Sequence, residues 1–358
     1  TINISGENSG IASAAPEPPQ EVKDLLARTF NSEDFDALIS DFNEFVAGFE
    51  YLPPDATMYE VLAALRLAGF IFIDDPISAG DAGPVSVTAA ALNIDGPSRI
   101  TSSTSSDGSG GPVNIQVGTL SMSNNAEIRS RSGLPNINTG ELEVGIGNGG
   151  DINIAASNDI SMQSGSSISV SSLGDGLAGN ISASTNTLSM SDSSITSQAE
   201  GNGDGGDIAI TAANSIAMQN NSTISSSALG AGLAGDISVN AGQQLNMSNS
   251  SISTEATVSD GGNIDVQAVK MIYLDQSEIT TSVESGVGGG GNIDIDPDFV
   301  ILKQSSILAN AFGGPGGNIN IIAGNFIATP DSVVDASSAL GIDGTVNISS
   351  PDEEINKE

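Results

Sequence analysis

The sequence predicts an all-β fold, a right-handed parallel β-helix with three short strands per coil, about 28 residues per coil and a small α-helical subdomain inserted near one end. Three observations carry this: a recurring Gly-[Asp/Asn]-apolar-polar-apolar phrase, a fixed spacing of further apolar positions behind each copy, and a helical periodicity confined to one segment. The phrase stands as Gly150-Asp151-Ile152-Asn153-Ile154, Gly206-Asp207-Ile208-Ala209-Ile210, Gly235-Asp236-Ile237-Ser238-Val239, Gly262-Asn263-Ile264-Asp265-Val266, Gly291-Asn292-Ile293-Asp294-Ile295 and Gly317-Asn318-Ile319-Asn320-Ile321. Looser copies begin at Pro84, Pro112, Asn180 and Thr345, and consecutive copies lie 26 to 29 residues apart except for one interval of 39. Such self-similarity marks a solenoid, and alternation of apolar and polar residues makes its unit a strand.

Each coil then follows in order. The first strand is the phrase itself, where Ile152 and Ile154 share one face of a pleated chain and Asn153 takes the other. The second strand carries a pair seven or eight residues on, as in Leu120/Met122, Ile160/Met162, Ile216/Met218 and Leu245/Met247. A third apolar position follows at Ile100, Ile128, Ile168, Ile195, Ile224, Ile252, Ile279 and Ile307. Ser, Asn, Asp and Gly between them supply turns. Stacked in register, these strands predict a coil of triangular section with columns of Ile, Leu and Met inside, and parallel crossovers are overwhelmingly right-handed. The Asp or Asn of the phrase is expected to form a ladder that hydrogen-bonds the turn backbone.

Along the chain, residues 1–15 match the second and third strands of a partial coil through Ile2, Ile4 and Ile11, which suggests a start inside a longer natural protein. Residues 16–79 break the pattern and read as the helical insertion. Phe35, Leu38, Ile39, Phe42, Phe45, Val46 and Phe49 recur at helical spacing, a short helix is expected over 20–30, and Thr57 with Glu60 forms a capping box for a third. Seven of the ten Phe lie in this segment. The coils resume over 80–350, with one long loop at 131–148 that contains Leu134, Ile137 and Leu142, and 351–358 forms a C-terminal tail whose Pro351 and acids stop further pairing. Insertion and loop both follow a third strand and precede a first strand, so both project from one flank, two coils or about 10 Å apart.

Composition narrows the function. The 358 residues carry 44 acids and 9 bases, a formal charge of −35, with no His, Cys or Trp. That charge opposes nucleic acid and anionic membrane as partners, and no stretch is long and apolar enough to span a bilayer. The insertion holds 13 acids against Lys23, Arg28 and Arg66, the reverse of what an interfacial membrane helix needs. A catalytic site is not expected: His is missing, and no carboxylate pair at a fixed coil position stands apart from the solvating turn residues. No cofactor is expected either. The one opening for a metal is calcium at Asp204 and Asp207 in Gly201-Asn202-Gly203-Asp204-Gly205-Gly206-Asp207, which resembles the calcium nonapeptide of repeat toxins but lacks the nine-residue recurrence.

The coil text, above all Gly317 to Ile321 and Thr329-Pro330-Asp331-Ser332-Val333-Val334-Asp335-Ala336-Ser337-Ser338-Ala339-Leu340-Gly341-Ile342-Asp343-Gly344-Thr345-Val346, resembles the C-terminal part of filamentous-haemagglutinin-like large exoproteins of the two-partner secretion system, of the cyanobacterial type. The resemblance covers about 1–15 and 80–350. It implies a right-handed β-helix, export through a dedicated outer-membrane transporter of a Gram-negative bacterium, and a secreted or cell-surface place. The secretion domain of that family, with its Asn-Pro-Asn motifs, does not stand in this sequence.

The expected function is therefore a non-enzymatic secreted or cell-surface rod, an adhesin or surface-filament module. Its interaction edge is built from the insertion (Phe35, Phe42, Phe45, Phe49) and the loop (Leu134, Ile137, Leu142). Besides the transporter, its expected partner is a cell-surface or matrix component or a second copy of the chain. A structural subunit of a filament or matrix and a polysaccharide-processing β-helix enzyme are the alternatives.

Overall fold

The computed structural model describes residues 2–5, 10–13, 81–104, 108–133 and 146–350. These form a β-solenoid of the right-handed type with about nine parallel turns of about 28 residues, and no helix occurs among the described residues. The helical insertion, the middle of the loop and the tail fall outside them.

Strands pair in parallel with their equivalents in the neighbouring coils, those at the two ends on one side only. One sheet of 15 strands holds the first and second strands of the coils, and a second sheet of 10 strands holds the third strands. The partial coil stacks as its spacing predicts, Ile2 on Leu92 and Ile11 on Ile100. In-register pairing turns the repeated apolar positions into columns. One runs Val113, Ile152, Ile181, Ile208, Ile237, Ile264, Ile293, Ile319, and another runs Ile128, Ile168, Ile195, Ile224, Ile252, Ile279, Ile307. Both are fully or almost fully buried, in one continuous core.

The section differs from a triangle of three separate strands. In the first five coils the first and second strands run on as single strands of 11 or 12 residues, Val85–Asp95, Val113–Ser123, Ile152–Gln163, Ile181–Ser191 and Ile208–Gln219. From the sixth coil they separate, as Ile237–Asn240 and Gln244–Ser248. The break coincides with Gly242, whose φ of 59° belongs to the left-handed region open to glycine. The earlier coils have Ala90, Gly118, Ser157, Asn186 and Ala213 at this corner, none of them with positive φ, and run through it as one strand, absorbing one residue as a register shift such as that between Val117 and Thr119.

The corner after the second strand is sharper. A residue with positive φ occupies it in coil after coil, Asn125, Ser164, Asp192, Asn221, Asn249, Gln276 and Gln304 among them. The buried serines Ser166, Ser193, Ser222, Ser250, Ser277 and Ser305 lie just behind it.

Candidate functional site

The third turn, from the end of a third strand to the next first strand, is where the coils differ most. Its inner half is uniform. The Asx ladder runs unbroken: Asp151 accepts the Asn180 N–H at 2.8 Å, Asn180 that of Asp207 at 2.8 Å, Asp207 that of Asp236 at 2.8 Å and Asp236 that of Asn263 at 2.7 Å. Asn263, Asn292 and Asn318 carry it to Thr345. The glycine before each step is obligatory, since a Cβ on Gly206 would stand 2.0 Å from the carbonyl oxygen of Gly179.

A buried hydroxyl column closes this inner half. Ser197 Oγ donates to the Gly179 carbonyl and accepts from Gly206 N–H, both at 2.9 Å. Ser226 does the same between Gly206 and Gly235, and Thr254 and Thr281 donate to Gly262 and Gly291. Val170 and Ala309 interrupt the column in register. Sequence reasoning missed it because an inward Ser on a serine-rich strand, such as Ser226 between Ser225 and Ser227, looks the same as its outward neighbours.

The outer half faces solvent and carries apolar side chains. Backbone bonds align Asn148, Leu177, Asp204, Leu233, Asp260 and Gly289 in one column. Asn148, Asp204 and Asp260 each use a side-chain oxygen on the N–H of the next coil, at 2.9, 2.8 and 2.7 Å. The alternate coils, capped from below, place Leu177 and Leu233 outward. Ile342, 80 % exposed, continues this column, and Ile146, Val258, Val287 at 87 % and Leu340 stand exposed a residue or two before it in the same turn. Leu229 and Phe312 stand exposed in a parallel column with Glu200 and Glu284. These nine side chains were not singled out as a surface from the sequence; the signal was there in Gly-Leu-Ala-Gly, repeated at Leu177 and Leu233, an apolar residue inside a glycine turn.

The acids on this edge are perturbed. Burial raises the Glu200 carboxyl above its ordinary range, with Arg131 opposing. Glu255 is raised too, first by a hydrogen bond with Glu284, then by burial and by the Glu284 charge, so that its protonated form is favoured.

Phe35, Phe42, Phe45 and Phe49 of the insertion and Leu134, Ile137 and Leu142 of the loop lie outside the described residues. The coils that flank them are described. Segment 14–80 joins Gly10–Ser13, a third strand, to Val85–Asp95, a first strand, and 134–145 likewise joins Glu127–Ser132 to Ile152–Gln163. Both therefore belong to the third turn that carries the apolar line. Asp204 and Asp207, the calcium candidates, each give one oxygen to a backbone N–H. No group of three or more acids suited to a metal occurs among the described residues. In comparisons with family models, curated proteins and solved structures, the chain finds no match.

Proposed function

We propose that this chain is a non-enzymatic secreted or cell-surface rod of the adhesin type, with the third-turn edge as its contact surface. The observation that carries the reading is the run of exposed apolar side chains at this turn, Leu177, Leu229, Leu233, Val258, Val287 and Phe312, over coils whose other outward positions are mostly Ser, Thr, Asn and Asp. The exposed apolar residues away from this turn, Val269, Phe299, Ile322, Ile327, Val333, Val346 and Ile348, gather in the later coils near the C-terminal end. Exposed apolar surface is costly to keep unless a partner covers it. The −35 charge keeps copies apart in solution and leaves such an edge free for that partner. The insertion and the loop enter at the same turn and extend the edge.

Support for a non-enzymatic role comes from how the acids are used. Asp151, Asp204, Asp207, Asp236 and Asp260 all spend a carboxylate oxygen on the turn backbone, and the sequence has no His to serve as a base. The likeness to filamentous-haemagglutinin-like exoproteins supports export through a two-partner transporter.

The test is deletion of residues 17–78 with a short Gly-Ser bridge, in the chain displayed on a non-adherent Gram-negative host. The coils should stay folded by circular dichroism while adhesion and settling of the cells fall. A deletion variant that adheres and settles as well as the parent would remove the insertion from the contact surface.

A further inference from the structure

The concavity of the solenoid lies away from that edge, where the long strands of the first five coils bend between their first and second halves. It is an open groove of about 730 Å³ against Thr88, Gln116, Ala155, Ser184, Asn186 and Ala213. A shallower hollow of about 390 Å³ adjoins it along the first halves, against Ser86, Asn114, Asn153 and Ser182. Together they make a trough that crosses four to five coils, on the order of 20 Å at the usual strand spacing. Its lining ends with Ala213 of the fifth coil, and in the sixth the continuous strand gives way to the Ala241-Gly242 turn.

The lining is free of charge. None of the residues around either hollow is Asp, Glu, Lys or Arg, on a chain with 44 acids. The register shows that this is a local property. The column Ser86, Asn114, Asn153, Ser182 continues beyond the trough to Asp265 and Asp294. The column Thr88, Gln116, Ala155, Ser184 likewise continues through Thr211, Asn240 and Gln267 to Asp296. Acids thus fit these positions and occur only outside the hollow.

The trough also presents unused polar groups. The Gln116 and Asn186 amides have no protein partner among the described residues, and Asn153 spends one N–H on Asn114 at 3.2 Å, which leaves its carbonyl oxygen outward. Each free amide offers donors and an acceptor together, the pattern that matches a hydroxyl, itself donor and acceptor. From the second to the fifth coil the strand backbones beneath are paired on both sides and offer an extended peptide no open edge. Only residues 85–89 of the first coil, where the partial coil reaches 92–95 alone, have a single partner strand among the described residues, and the peptide arm of the test addresses them.

We propose that this trough binds a neutral, hydroxyl-rich chain, an oligosaccharide without carboxylate or sulfate groups. No aromatic ring lines it, so binding rests on hydrogen bonds alone, weak per site and useful through many copies on a surface. This site is separate from the third-turn edge and stands or falls independently of it.

The test is saturation-transfer NMR on the whole chain with four neutral hexasaccharides (β-1,4-glucan, α-1,4-glucan, β-1,4-mannan and chitin), with hexagalacturonate as the anionic arm and a Ser-Gly-Asn repeat peptide as the peptide arm. At least one neutral hexasaccharide should receive transfer, several-fold more than hexagalacturonate or the peptide. Ala155→Arg, which fills the trough from an outward position, should weaken that binding at least tenfold. Ser238→Arg, on the same face beyond the trough, should not, and both variants should melt as the parent does. No transfer to any neutral sugar, equal transfer to hexagalacturonate or to the peptide, or binding indifferent to Ala155→Arg in a folded variant would each overturn the proposal.

Discussion

Replacing Ile216 with Asp tests the register on which the whole description rests. Ile216 is fully buried in the fifth coil, stacked between Leu188 and Leu245. Removing its side chain from the core forfeits about 2–3 kcal/mol of burial. The carboxylate adds several kcal/mol more, because the column above and below is aliphatic and offers no counter-charge. The sum exceeds about 5 kcal/mol, in the range reserved for buried unpaired charge, and at roughly 2–4 °C per kcal/mol it lowers the melting midpoint by more than about 10 °C. In a stack where each coil contacts only its neighbours, the defect also divides the rod into two blocks, and the transition should broaden or split. Ala217→Asp is the control. Its side chain points outward between Ser189 and Asn246, both uncharged, so the change should stay within about 0.5 kcal/mol. Circular dichroism melts of the two variants read the difference directly. Equal midpoints, or a lower midpoint for Ala217→Asp, would refute the register.

The remaining predictions concern the third turn. Ser226→Ala removes a buried hydroxyl that bridges the Gly206 carbonyl and the Gly235 N–H. It should cost about 1–3 kcal/mol through those two unsatisfied groups, measured by denaturant unfolding, and a neutral result would show that water replaces the hydroxyl. Glu255 has a raised carboxyl in the fold, so its favourable protonated form is present below the ordinary glutamate value of 4.5 and is lost as pH rises through the raised one. Glu255→Gln keeps a donor toward Glu284 at all pH. It should melt higher than the parent at neutral pH and lose that advantage on acidification toward 4.5; an advantage independent of pH would contradict the raised Glu255 carboxyl.

The core was legible in the sequence because its signal is redundant. The Ile at position 152 recurs in coil after coil, and a strand that carries two inward residues has one possible facing, so columns and register follow from spacing alone. The Asx ladder was legible for the same reason, since Asp151, Asn180 and Asp207 each sit one residue before the first inward Ile. The merging of first and second strands was not, because turn-type residues stand at this corner both in coils that run through it, as Gly118 and Asn186 do, and in coils that break, as Gly242 does, and only the positive φ of Gly242 tells them apart. The hydroxyl column was hidden by composition, as Ser226 cannot be told from Ser225 without the turn that covers it. Of the edge, the sequence revealed which turn holds the insertion and the loop. It did not reveal Leu177 and Leu233, which stand exposed where Asn148 and Asp204 of the preceding coil accept their backbone N–H groups.

Adhesion by edge variants puts the contact surface itself to the test. Leu177, Leu229, Leu233 and Phe312 are all exposed, so changing the four to Ser together should leave the melting midpoint of the rod within a few degrees of the parent. Displayed on a non-adherent host at equal surface density, the fourfold variant should lose most of the retention and settling that the parent confers. Retention equal to the parent, from a variant with a parental melt, would contradict the assignment of function to the third-turn edge.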